Sequence, residues 1–188
     1  MGITIHYEVG YDGPFTTIKR KLEAVAQELQ KMKPVQVVSD DSLLSCDIME
    51  GSEWFVLDFL NKRYADPQYR DDKLKESAHY ARGFTKTTYA DDPVKAHFTV
   101  IVGLCALMEQ GFTVRVNDEA DFWKGCSIQG YTDDDLKRLA TMFGRDHRML
   151  AAIAGQIKDA IGGELVAPIT ERPDFEHLEA EGRKEQEE

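Results

Sequence analysis

The sequence predicts an α+β domain: an antiparallel or mixed sheet with helices packed on one face. Three observations carry that prediction. Residues 3–9 alternate, with Ile3, Ile5, Tyr7 and Val9 on one side and Thr4, His6 and Glu8 on the other, the period-2 pattern of a half-buried strand. Ile18, Leu22, Val25, Leu29 and Met32 then recur at the spacing of an amphipathic helix. A second strand–helix–strand series follows between Arg82 and Val116, so the chain reads as two such units.

The elements follow in order. Gly10 to Pro14 make a turn, and Pro34 ends the first helix because the residue before a proline is steered out of the α region. Val35–Val38 is a short strand, and the aromatic, β-rich run Trp54–Leu60 is another. Asn61 to Ser77, polar and containing Pro67, reads as a loop. Arg82–Tyr89 is a strand whose Thr85, Lys86, Thr87 and Thr88 are polar on both faces. Asp92-Pro93 joins a capping carboxylate to a residue suited to the first helical position, opening a helix Pro93–Gln110 that Gly111 closes. Phe112, Val114 and Val116 alternate with Thr113, Arg115 and Asn117 in the next strand. Thr132-Asp-Asp-Asp135 opens a long C-terminal helix with acid at its positive dipole end, split near Gly144 and ended by Gly162-Gly163. Ferredoxin-like and TATA-binding-protein-like arrangements both satisfy this order. The expected organisation is a single domain over residues 1–167 with an acidic, mobile tail at 168–188.

Composition narrows the classes. An apolar share of 42% in 188 residues suffices for one core. The longest apolar run, Phe98–Met108, is broken by Thr99 and Gly103 and falls short of the roughly 18 residues of a membrane span. The opening residues lack the basic-then-apolar pattern of a secretory signal, so the expected location is cytoplasmic. Cys46, Cys105 and Cys126 are odd in number and widely spaced, which argues against a disulfide framework and a structural zinc site. Cys105, inside an apolar helix, reads as a buried, inert thiol. The net charge is −11, and Glu171–Glu188, with eight acids and three bases, supplies −5 of it. Such a surface repels phosphate, so nucleic acid is not an expected partner.

Two places concentrate chemistry. The first is the polar side of the sheet, where His6 and Glu8 would share a face with Lys86, Arg115 and Asn117 as a binding surface. An ordinary solvated face shows the same alternation. The second is the segment from Asn117 to Trp123, where Asp118, Glu119 and Asp121 offer the oxygen ligands that magnesium or calcium prefers. It lacks the glycine and terminal glutamate of a full calcium loop, and its alternative is a polar loop anchored by Phe122 and Trp123. His97 is a candidate acid–base group with no adjacent nucleophile. No dinucleotide, phosphate-loop, zinc-protease or nucleophile-elbow motif occurs, and no cofactor is indicated.

Gly83-Phe-Thr-Lys-Thr-Thr-Tyr-Ala90, the helix bearing His97, the run Val116–Trp123 and Ile3–Tyr7 resemble bacterial proteins without an assigned activity. The resemblance implies a bacterial origin and carries no function. The expectation is therefore a non-catalytic binding or interaction module, with a homodimer or a protein partner as its assembly. The alternative is a small metal-dependent hydrolase or other enzyme built on the polar sheet face or the Asp118–Asp121 loop.

Overall fold

The computed structural model describes residues 3–61, 70, 74–145 and 148. The chain divides into two compact units: Gly2–Leu139, which carries every strand named below, and a second beginning at Ala140. The expected boundary at 167/168 and the end of the C-terminal helix at Gly162-Gly163 lie outside the described residues.

The first unit is α+β, with every paired strand antiparallel to its neighbour. In chain order it contains β1 (Thr4–Tyr11), α1 (Ile18–Lys31), β2 (Gln36–Ser39), β3 (Leu43–Asp47), β4 (Phe55–Asp58), β5 (His79–Lys86), α2 (Pro93–Glu109) and β6 (Thr113–Asp118). Two three-stranded sheets result, ordered β5-β1-β6 and β2-β3-β4. In the first, β5 and β6 flank β1 and α2 connects them, a split strand–helix–strand unit of the ferredoxin-like kind. The β2-β3-β4 meander is where the chain leaves the plain ferredoxin-like order.

Both helices cover the same side. Ile5, Tyr7 and Val9 on β1, Leu44 and Cys46 on β3, and Phe55 and Leu57 on β4 are buried with Leu22, Val25 and Leu29 of α1. Helix α2 presses into this layer at Gly103, where an added Cβ would stand 3.0 Å from the Phe55 ring and 3.2 Å from Leu29. Its N-terminus is built as the sequence implies: the Asp92 carboxylate accepts from Lys95 N–H at 2.9 Å, and Pro93 occupies the first turn. A helix starting at 133 is capped reciprocally, Thr132 Oγ1 accepting from Asp135 N–H (3.3 Å) and Asp135 Oδ2 from Thr132 N–H (2.8 Å).

Sequence reasoning did not find β3, and it placed β5 three residues late. Both errors have the same source. Ser45 in β3 and Thr85, Thr87 and Thr88 around the end of β5 are polar yet buried, which erases the expected alternation. The threonines are tolerated because each is bonded: Thr85 Oγ1 donates to Trp54 O (3.2 Å), Thr87 Oγ1 lies 3.1 Å from His97 Nδ1, and Thr88 Oγ1 accepts from Ile3 N–H.

The two sheets meet along β4 and β5, where a ladder gives way to one backbone hydrogen bond, Glu53 N–H to Lys86 O (3.0 Å), and to side-chain bridges. Tyr7 is the chief bridge. Its hydroxyl, reaching from β1 past β5, accepts from Val56 N–H (3.1 Å) and lies 3.3 Å from Val56 O and 3.2 Å from Thr85 Oγ1. Burial pushes its phenol up to about 12, so it stays protonated and able to donate.

Candidate functional site

With the helices on one face, the other face of the β5-β1-β6 sheet is left open, and its register arranges the polar side chains in rows. Arg82 on β5, Glu8 on β1 and Arg115 on β6 stand directly opposite one another. The next row, two residues along each strand, is Phe84, His6 and Asn117. A cavity of about 760 Å³ lies over these rows, lined by His6, Glu8, Arg82, Arg115 and Asn117, with Arg70 and Trp123 among its walls. That volume falls inside the roughly 300–1,000 Å³ of small-molecule sites.

Four of the five side chains expected on the polar face are therefore brought together: His6, Glu8, Arg115 and Asn117. Lys86 shares the face but sits one row further on, opposite Thr4, and does not line the cavity. Its ammonium instead lies 5.8 Å from the Tyr89 ring centroid.

Among the described residues that line the cavity, Arg70, Arg82 and Arg115 are basic and Glu8 is acidic. Glu8 is held to one side, because the Tyr80 hydroxyl donates to its Oε1. Burial first, then the bond to Glu8 and its charge, raise the Tyr80 phenol well above its ordinary range. Arg70 stacks over the same tyrosine at 4.6 Å and donates from Nη1 to Ser77 O at 3.1 Å. The Arg70 guanidinium is thus held by stacking and a backbone contact.

Aromatic surface adjoins the charge. Phe84 is 55% exposed, and its ring centroid lies 5.9 Å from that of His6. On the β6 side, His6 Nε2 approaches Glu119 Oε1 at 3.9 Å.

The second candidate is arranged differently from a metal site. Asp118 points inward, its side chain 2% exposed, and both oxygens are occupied. Oδ1 accepts from Ala120 N–H (2.8 Å); Oδ2 accepts from Phe122 and Trp123 N–H (3.0 Å each) and lies 3.2 Å from His97 Nε2. Burial opposes ionisation of this carboxyl, but the His97 hydrogen bond and charge, with the loop amides, outweigh it and hold its pKa below the ordinary value. Glu119 turns to the sheet and accepts from Thr4 N–H (2.8 Å), while Asp121 is exposed at a φ of 48°. Among the described residues no group of three His, Cys, Asp or Glu side chains is placed to hold a metal ion. The Asp118–Trp123 segment is a loop wound around one buried carboxylate, with Phe122 fixed in the core and Trp123 delivered to the cavity wall.

His97 is wholly buried, bridging Thr87 and Asp118. The trio has the residue types of a nucleophilic triad, yet Thr87 is also wholly buried and out of reach of a substrate, so its role is to lock the loop.

Sequence reasoning missed Arg70, Arg82 and Trp123 as site residues. Arg82 was legible in principle, since it keeps step with Phe84 and Lys86 along β5. Arg70 stands in a loop segment where no periodicity points to the cavity. No protein-family model, curated protein or solved structure matches the chain, so the reading of this site rests on its own geometry.

Proposed function

We propose that the protein is a non-catalytic binding module whose small-molecule ligand seats in the cavity on the open face of the β5-β1-β6 sheet. The observation that carries this reading is the cavity itself: about 760 Å³ lined by opposed polar rows on a rigid, three-stranded support. The buried, fully hydrogen-bonded state of the His97–Asp118 pair favours binding over catalysis, because the best acid–base pair in the unit has no access to the cavity's contents.

The test is amide chemical-shift mapping with a mixture of neutral, anionic and cationic fragments. The expected result is perturbation concentrated on His6, Arg82, Arg115 and Asn117. Asn117→Trp, which fills the cavity from an exposed position, should abolish it. Perturbations that map to another surface, or none from any fragment, would defeat the reading.

A further inference from the structure

We propose that Cys105 and Cys126 form a redox-sensitive pair, which a peroxide-class oxidant joins in a disulfide that ties the loop bearing Trp123 to α2. This goes beyond the binding-module reading and stands without it.

The fold brings together two cysteines that stand 21 residues apart in the chain. Cys105 lies in the last turns of α2, and its Sγ donates to the Cys126 carbonyl at 3.1 Å. The chain on both sides of Cys126 is anchored near the same helix. The Tyr131 ring packs against Phe98 of α2 at 6.1 Å and against Phe122 at 5.1 Å, and the Ile128–Gly130 turn packs on α2. Between those anchors residues 123–127 form no helix or strand, and Cys126 is partly exposed while Cys105 is buried. Cys46 sits on β3 in the other sheet and serves as an internal control.

Exposure assigns the roles. Peroxide reaches Cys126 first: its thiolate attacks one peroxide oxygen, the O–O bond breaks, hydroxide leaves and a sulfenic acid forms. The Cys105 sulfur then displaces the sulfenic hydroxyl to form the S–S bond, and its proton leaves with that hydroxyl as water. Two thiols thus lose two electrons and two hydrogens, and one peroxide becomes two waters. Burial, and then the charge of Cys126, push the Cys105 thiol up to about 12, so it is a poor target for the oxidant itself. Placement offsets that low reactivity, because the sulfenic sulfur is held on the residue that Cys105 already contacts. In the reduced chain the Cys126 thiol lies over Gly130, where an added Cβ would stand 2.5 Å from its sulfur. Closing the bridge turns the thiol from Gly130 toward the helix, three residues along the chain from Trp123 in the cavity wall.

The experiment uses the full chain, reduced, freed of reductant and treated with hydrogen peroxide near stoichiometry, then alkylated in denaturant and mapped by peptide mass. Alkyl labels are expected to fall from three to one, leaving Cys46. The Cys105 and Cys126 peptides should be recovered joined and be released by dithiothreitol. Amide shifts of the oxidised chain should move at Trp123 and its neighbours. Cys126→Ser, at a partly exposed position, should leave Cys105 open to alkylation and the Trp123 amide unmoved under the same dose. Cys105→Ser, which keeps a donor for the Cys126 carbonyl, should leave Cys126 as a sulfenic acid that dimedone traps. Should Cys105→Ser fail to fold, the joined peptide and Cys126→Ser decide the outcome alone. A Cys126 sulfinic acid or a Cys126-linked dimer, with Cys105 still open to alkylation in denaturant, would overturn the pair. A bridge that forms without shifting Trp123 would overturn its hold on the cavity wall.

Discussion

The phenol ring of Tyr7 lies across the backbone of Gly83, in the space where a side chain on β5 would otherwise stand. A Cβ built on Gly83 would come within 2.7 Å of Tyr7 Cε2 and 2.8 Å of its hydroxyl oxygen. The glycine is thus a steric requirement: it opens the path by which Tyr7 reaches Val56 in the other sheet. The alanine variant tests this. Gly83→Ala should destabilise the protein by about 1–3 kcal/mol, the usual cost of overpacking, read as a lower urea midpoint. Tyr7→Phe should cost a similar amount for a different reason, since it leaves Val56 N–H without its partner. The two losses should not add, because both act through one contact.

Acid should expose the role of Asp118. Its folded pKa lies below the ordinary value of 3.8, so the unfolded chain takes up the proton first. The stability it contributes is complete above about pH 4 and is lost as the pH falls through the folded value. Asp118→Asn should be less stable than the parent at neutral pH by about 1–3 kcal/mol, since a neutral amide replaces the carboxylate on three loop amides and His97. Urea unfolding repeated down to about pH 3 should show that difference shrinking. A gap that stays constant would mean that the charge is immaterial.

The three thiols should differ sharply in reactivity. Cys46 and Cys105 are buried, and burial, with a smaller contribution from neighbouring charge, pushes both up to about 12. Cys126 is partly exposed. Brief alkylation of the native protein at mildly alkaline pH should label Cys126, with Cys46 and Cys105 protected until denaturant is added. Peptide mass mapping reads the result.

Helix α2 should depend measurably on its cap. Asp92→Ala removes the acceptor for Lys95 N–H and should cost about 1 kcal/mol, with Asp92→Asn largely neutral. Thermal unfolding of the two variants separates capping from charge.

How far the sequence foretold this structure depends on where polar residues were buried. The amphipathic elements were plain: β1 and α1 each segregate polar from apolar, and Asp92-Pro93 marks the start of α2 within one residue. That His6, Glu8, Arg115 and Asn117 share one sheet face was legible for the same reason, since they alternate with apolar residues on their strands. Strand β3 and the start of β5 were not, because Ser45 is buried, and Thr85 is buried with its hydroxyl satisfied by a tertiary hydrogen bond that no local pattern announces. Asp118 misled by composition. Three acids in four residues look like a cation's ligand set, but its own loop amides and His97 claim the one that is buried.

The thin seam between β4 and β5 has a consequence for how the molecule breathes. Within β5-β1-β6 the central strand is held by a ladder on either side, whereas β2-β3-β4 is tied across the seam by one backbone bond and a few side-chain bonds from Tyr7, Thr85 and Glu53. Hydrogen exchange should therefore separate the sheets into two cooperative classes, the meander opening at lower free energy than the strands that carry the open cavity. The sheet under the cavity would stay folded while its neighbour opens and recloses.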